Sequence, residues 1–394
     1  MTRAPVIQGW CPGALRPMLS GDGLVVRVRP RGGRLSPVQA LRIADLAARF
    51  GNGLIDLSAR ANVQIRGVSE ATHAALIDGL AGVGLLDDSA GNEAARNIVV
   101  APFWETGDGT QDLAERLMRA LAQPDAPCLP GKFGYAVDTG SGPVLRAVSA
   151  DIRLERLAGQ LIVRADGAMT AAGVTPDTAV AAMMELAGWF LGSGGVSNGR
   201  GRMAALMARG ARLPERFEQV AVRTGGALPP PRPGLGPQGA MVGFDFGQMN
   251  AATLAALAAL GPLRVTPWRM LLIEGAVELP DIAGVISRGD DPMLRVIACT
   301  GAPACVQAHQ PTRILARAVA QFVPQDAELH VAGCAKGCAH PSAARLTLVA
   351  TQDGFDLIRD GNAAGVPALR GLSPEALAAR PDLLGCARQP RGRT

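Results

Sequence analysis

Lysine is nearly absent from this chain: of its 39 basic residues only Lys132 and Lys336 are not arginine. Aromatic residues make up 4% of the sequence, with a single tyrosine, and histidine occurs four times in 394 residues. Arginines scattered without interleaved aromatics make a poor nucleic-acid surface, and no recognisable nucleic-acid module is present, so no such partner is expected. No uncharged apolar run reaches the roughly 18 residues a transmembrane helix needs, so no membrane association is expected either. The opening Met1–Trp10 stretch has no apolar h-region, and we expect no signal peptide. No glycine-rich fingerprint opens a helix behind a strand, which leaves no resident NAD or FAD domain. With seven cysteines in a chain this long a disulfide framework fits poorly, and a reducing cytoplasm is the expected home.

What is present is concentrated near the C-terminus. Cys299 and Cys305 form C-x5-C, and Cys334 and Cys338 form C-x3-C after 28 intervening residues. Four soft thiolates in two clips suit zinc or an iron–sulfur cluster. Structural zinc clips usually place about two to four residues between paired ligands, and a five-residue spacer suits the wider corners of a [4Fe-4S] cubane. The clip residues are small, which lets backbone N–H groups approach the sulfurs. Cys11, Cys128 and Cys386 stand alone and read as ordinary thiols.

The net charge of +5 is modest, and a small polyanionic ligand accounts for the basic excess. In a chain that prefers arginine, a retained lysine marks a place where a compact ammonium serves better than a planar fork. Lys336 lies between Cys334 and Cys338, and Lys132 lies in a glycine-flanked, strand-like stretch.

Hydrophobic periodicity divides the chain. Gly23–Arg29 reads as a strand, Ser36-Pro37 as a helix start with Gly51 as its stop, and 54–57 and 62–66 as strands. Ser69 caps a further helix. After the Pro229–Gly234 linker the pattern returns, and Val265–Gly275 aligns without gaps on Leu57–Gly67. In the first copy the strand carries Arg60, Gln64 and Arg66; in the second these are Trp268, Leu272 and Glu274. One copy is suited to a polar ligand, the other to packing. Residues 295–298 and 328–332 read as strands running into the two cysteine clips, with a helix at 312–322 between them.

These motifs resemble the sirohaem-dependent nitrite and sulfite reductase superfamily and, within it, the precorrin-3B synthases. The resemblance spans nearly the whole chain. It implies an α+β fold: two ferredoxin-like half-domains, 1–87 and 223–288, each followed by an α/β domain, 88–222 and 289–394. C-x5-C…C-x3-C is the superfamily's cluster signature. Its tetrapyrrole and anion pocket is matched here by Arg60-Ala-Asn-Val-Gln64 with Arg66, by Arg96-Asn97, and by Leu129-Pro-Gly-Lys132-Phe133-Gly134. Arg200 and Arg202 fall where relatives carry an arginine-rich loop. The opening Cys11-Pro-Gly stretch also looks like a synthase start. Sulfite reductases share a K-F-K triplet; here its second lysine is Gly134, which removes one of two ammonium groups.

The resemblance implies hydroxylation of precorrin-3A by dioxygen at C20, with γ-lactone formation, on the aerobic route to cobalamin. It further implies a [4Fe-4S] cluster on the four clip cysteines, Lys132 as the catalytic residue, and Arg60, Gln64, Arg66, Arg96, Asn97, Lys132, Arg200 and Arg202 around the substrate. The family is associated with an additional non-haem iron. His309 and His340, close in sequence to the clips, are candidate ligands, with a structural role beside the clips the favoured reading of each; four histidines argue against a three-histidine site. Electrons would come from NADH or a separate reductase. Two alternatives stand beside this reading: a small sulfite or nitrite reductase with bound sirohaem, and a non-catalytic electron carrier.

Overall fold

A computed structural model describes residues 12–140, 142–222 and 228–385. The first unit runs β1 (Met18–Ser20), β2 (Gly23–Val28), β3 (Arg34–Leu35), α1 (Pro37–Phe50), β4 (Leu54–Leu57), β5 (Val63–Val68) and α2 (Glu70–Ala81). Ser36 and Gln39 close a reciprocal capping box at the start of α1, with Pro37 in its first turn. Its Ala40, Ile43, Ala44, Leu46 and Ala47 recur at helical spacing and are buried, so one stripe of the helix faces the sheet. Ser69 caps α2 in the same way.

An α/β domain follows: α3 (Ala90–Ala95), β6 (Ile98–Val100), α4 (Thr110–Leu121), β7 (Tyr135–Asp138), β8 (Ile152–Leu157), β9 (Gln160–Ala165), β10 (Thr170–Val174), α5 (Pro176–Gly192), α6 (Met203–Ala208) and β11 (Val220–Ala221). Strands β6, β7 and β8 are parallel, and the remainder pair antiparallel.

The second half repeats this plan. Strands β12 (Gly234–Gly236), β13 (Gly239–Val242) and β14 (Gln248–Asn250) lead to α7 (Ala251–Ala258), β15 (Leu263–Val265) and β16 (Leu271–Glu274). Strand β17 (Val296–Ala298), α8 (Thr312–Val319), β18 (Leu329–Ala332), β19 (Ala344–Thr351), β20 (Gly354–Gly361), β21 (Leu369–Leu372) and α9 (Pro374–Ala379) complete the chain. Here too three parallel strands, β17, β18 and β19, are followed by an antiparallel hairpin and edge.

The duplication is exact enough to repeat backbone detail. In the matched loops Ala61 and Arg269 both take left-handed conformations, with φ of 53° and 59°. Ser58 Oγ accepts the backbone N–H groups of Arg60 and Asn62, and Thr266 Oγ1 accepts those of Trp268 and Met270. The two ferredoxin-like sheets also trade an edge strand. The first is ordered β1-β2-β5-β4-β14 and the second β12-β13-β16-β15-β3. Gln248 pairs with Asp56, and Arg34 with Arg264. Both sheets and helices α1, α2 and α7 share one core, including Ile43, Leu46, Ile55, Ile65, Leu76, Leu257 and Ile273. With the apolar face of the first sheet buried in that core, its polar face is left for the C-terminal domain.

Candidate functional site

Both cysteine clips leave the same edge of one sheet. Cys299 follows β17 directly and Cys334 follows β18 by one residue, and these strands are parallel neighbours. The clips are laced together by backbone groups. Cys299 N–H donates to Val331 O at 3.2 Å, and His309 N–H donates to Gly333 O at 2.9 Å. Gly333 N–H points at Cys299 Sγ, 3.1 Å away. A side chain at 333 would stand 2.6 Å from Ala308 Cβ and 3.3 Å from that sulfur, so the close approach requires glycine. Thr312 Oγ1, at the start of α8, donates to Cys299 O at 2.7 Å.

Two of the four thiols, Cys299 and Cys338, resist ionisation. Burial pushes Cys299 above its ordinary value, with Cys305 adding to it and the Gly333 N–H opposing. Cys338 reaches the surface yet is crowded by protein. Loss of solvation first, then the sulfurs of Cys299, Cys305 and Cys334, push it up to about 11, while Lys336 pulls the other way. Four thiolates here would need a bound cation. Among the described residues no three of His, Cys, Asp and Glu are gathered as ligands for a single metal ion. His309 and His340 are not drawn into such a group. His340 Nε2 lies 3.4 Å from Glu328, and its ring packs edge-on against buried His330. Burial, followed by His340 and Arg269, lowers His330 to about 4, so it sits neutral beneath Gly337. Cys128 is exposed, and Cys11 and Cys386 lie outside the described residues.

The polar face of the first sheet meets the clips. Ser20 Oγ and Gly21 N–H both donate to Ala304 O, at 2.7 and 3.0 Å, next to Cys305. Ser20 Oγ also accepts from Arg66. Arg66 is buried and paired with Asp22 at 2.7 Å and with Asp56 at 3.1 Å. Expected to present a fork to a ligand, it instead braces the turn that touches the first cysteine clip. Gln64 is likewise engaged, accepting Arg27 Nη2 at 2.6 Å. Arg60 is half-buried at the tip of its loop.

The remaining expected residues lie at the N-terminal edge of the parallel strands of the first α/β domain. Arg96 is buried in a two-pronged pair with Asp87, both contacts at 2.7 Å. Asn97 donates to Phe133 O at 3.0 Å and so holds the Lys132 segment. Asp151, which the sequence did not single out, organises the rest. It is fully buried and accepts Gly134 N–H, Met203 N–H and Arg202 Nε at 2.8–2.9 Å. Asn97, Gly134 and Arg202 are thus brought into one neighbourhood. Lys132 lies in an exposed turn rather than the expected strand, because strand pairing begins only at Tyr135. Arg200 is exposed in a tight turn closed on Ser197.

A cavity of about 710 Å³ opens beside the second clip. Its wall includes Phe244, Phe246, Trp268, Arg269 and Arg295, and it reaches Ala339 and His340, next to Cys338. The second copy, expected only to pack, therefore does both. Leu272 and Met241 form an apolar cluster with Met270 and Trp268, while Trp268 and Met270 also face the cavity. Two further residues, Arg269 and Arg313, stand near the cysteines without having been expected there, and Asp56 lies beside Arg313. Arg269 Nη2 donates to Ala339 O at 3.2 Å, and Arg313 lies 3.7 Å from Asp56. The sequence signal for Arg269 was its place in the duplicated loop; for Arg313 and Asp56 there was none.

Twin ferredoxin-like sheets, each leading into an α/β domain and one carrying paired cysteine clips, define a nitrite and sulfite reductase-like protein. Residues 16–83 match the nitrite/sulfite reductase ferredoxin-like half domain. The solved structure of the Mycobacterium tuberculosis NirA protein superimposes with a TM-score of 0.62 at 19% identity, covering 91% of this chain and 79% of that one. A precorrin-3B synthase of Sinorhizobium sp. is 30% identical over 401 residues, covering 93% of this chain and 86% of the relative. The chain belongs to the precorrin-3B synthase family. Among the described residues no helix is long and apolar enough to cross a membrane.

Proposed function

We propose that the chain is an iron–sulfur monooxygenase that hydroxylates precorrin-3A at C20, with closure of the γ-lactone, in cobalamin biosynthesis. The observation that carries the reading is the convergence of four thiols at the ends of two adjacent parallel strands, beside a large cavity with aromatic and arginine walls. The donor set fits the group: four soft sulfurs that repel one another as thiolates, with a backbone N–H already aimed at one of them. Cys299, Cys305, Cys334 and Cys338 would hold a [4Fe-4S] cluster. Bound there, the cluster would supply single electrons to the oxygen chemistry.

In the balanced reaction one oxygen atom enters the substrate and the other leaves as water, with two electrons and two protons drawn from an external donor. Trp268 and Phe244 offer flat apolar surface to a macrocycle, and Arg269 and Arg295 offer forks for its carboxylates. Lys132 and Arg200 are exposed cations that can meet carboxylates at the rim of the substrate. Arg60 lies one residue from Ala59 on the cavity wall.

The match of residues 16–83 to the nitrite/sulfite reductase half domain supports a second reading, a small sirohaem reductase; the glycine at 134, where the resemblance expects a lysine, opposes it. Anaerobic purification followed by visible spectroscopy and extraction of bound tetrapyrrole separates the two. A broad iron–sulfur shoulder without sirohaem, and oxygen-dependent turnover of precorrin-3A, are the expected results. Sharp sirohaem bands would overturn the monooxygenase reading.

A further inference from the structure

We propose that Arg269 and Arg313 form a cationic collar that sets the reduction potential of the centre held by the four cysteines. The inference rests on the iron–sulfur reading above. The two guanidiniums come from different parts of the chain and address opposite ends of the cysteine set. Arg269, on the duplicated loop of the second unit, bonds the carbonyl of Ala339 and is electrostatically coupled to Cys338. Arg313, in the first turn of α8, follows the threonine that bonds Cys299 O and is coupled to Cys299.

Their local counter-charge is insufficient. Both lean on Asp56, which already pairs with Arg66 at 3.1 Å and accepts Gln248 Nε2 at 2.8 Å. The carboxylates of the network, Asp56 and Asp22, face three guanidiniums, those of Arg66, Arg269 and Arg313. Arg313 is nearly buried, and its Nε has no hydrogen-bond partner among the described residues. Burial lowers both arginines from their ordinary values, so holding them charged here costs stability. Besides Asp56, the groups that favour their charge among the described residues are the sulfurs of Cys338, for Arg269, and Cys299, for Arg313.

Holding Arg269 in place also constrains the backbone. It adopts φ of 59°, and a side chain at Gly247 would stand 2.5 Å from its Cβ, so Gly247 makes the room it occupies. A reduced centre carries one more negative charge than an oxidised one. Nearby cations therefore stabilise the reduced form and raise the potential.

The test is an EPR-monitored redox titration of the iron-loaded protein, with iron and sulfide assayed alongside. R313Q and R269Q, each retaining full iron and sulfide, should shift the reduction equilibrium about tenfold toward the oxidised form, about 59 mV for one electron. R313K should stay near the wild-type potential, and D56N should shift it in the opposite direction. Unchanged potentials in R313Q and R269Q, or a D56N shift in the same direction as theirs, would overturn the collar. Wild-type protein lacking iron and sulfide would overturn the iron–sulfur reading and the collar with it.

Discussion

Arg66 and Glu274 occupy matching positions in the two ferredoxin-like sheets and carry opposite charge. Each pairs with the residue that duplication places across from it. Arg66 meets Asp56 at 3.1 Å, and Glu274 meets Arg264 at 2.8 Å, so the same ion pair recurs with its ends exchanged. In the second sheet Arg264 is spent on Pro102 O, Trp104 O and the Trp104 ring, 3.6 Å away. In the first, the network runs through Ser20 to Ala304 and the cysteine clip. One copy of the pair closes a face and the other braces the turn that bonds the first cysteine clip.

Removing Arg66 leaves Asp22 and Asp56 facing each other in a largely buried position. R66A is expected to cost about 3–5 kcal/mol of stability, as for other broken buried pairs. Ser20→Ala, which removes one hydroxyl link to Ala304, should cost about 1 kcal/mol but speed the loss of iron in the presence of a chelator. Urea denaturation and a timed chelation assay measure the two effects. Chelation rates equal to wild type in S20A would show that the turn does not brace the clip.

By resemblance, Gly134 takes the place of the second lysine of the reductases' K-F-K triplet, and its surroundings leave no room for a side chain. A Cβ there would lie 2.6 Å from Asn97 Nδ2, whose bond to Phe133 O holds the Lys132 turn. G134A should be less stable by about 1–3 kcal/mol, and G134K should gain no sulfite reduction. A G134K variant that is stable and reduces sulfite would refute this account.

Lys132→Ala should cripple turnover of precorrin-3A while leaving iron and sulfide intact, since the lysine is exposed and far in sequence from the clips. Cys334→Ser should do the reverse first, losing iron and sulfide. Metal analysis beside single-turnover kinetics distinguishes them, and a C334S protein with full iron content would remove that residue from the ligand set.

Asp138 provides a test of pH dependence away from the site. Burial, followed by Glu155, raises its carboxyl to about 6, against the opposing Leu145 N–H. Because the folded value is raised, the group's contribution is fully present below about pH 4, the unfolded range, and is lost as pH rises through 6. The loss runs at about 1.4 kcal/mol per pH unit in that window. D138N should therefore be more stable than wild type at pH 7.5 and approach it at pH 4. Parallel urea midpoints at both pH values would refute the assignment.

The fold was legible wherever local signals act alone. Ser36-Pro37, Ser69 and Gly51 punctuate helices by caps and stops that need no tertiary partner, and the loop repeat at 57–67 and 265–275 reappears down to its left-handed residue. Cysteine spacing likewise announced the clips. Partnerships across the chain were not legible. Arg66 and Arg96 were expected to face a ligand because a guanidinium fork suits any carboxylate, and spacing does not say whether that carboxylate is a ligand's or Asp22, Asp56 or Asp87. Asp151 and Arg313 gave no pattern, since each matters through what folds against it. Helix and strand periods also could not reveal that β3 and β14 leave their own units.

That exchange has a consequence for how the chain holds together. Cut within the Pro229–Pro233 linker, each fragment would keep a ferredoxin-like sheet missing one edge strand while carrying a strand that fits only the other fragment. Neither piece is a self-sufficient module, although each contains a complete repeat. Such halves would behave as obligate complements, recovering their native pairing only when produced together. The repeat thus persists as mutual dependence: two like units, each completed by a strand of the other.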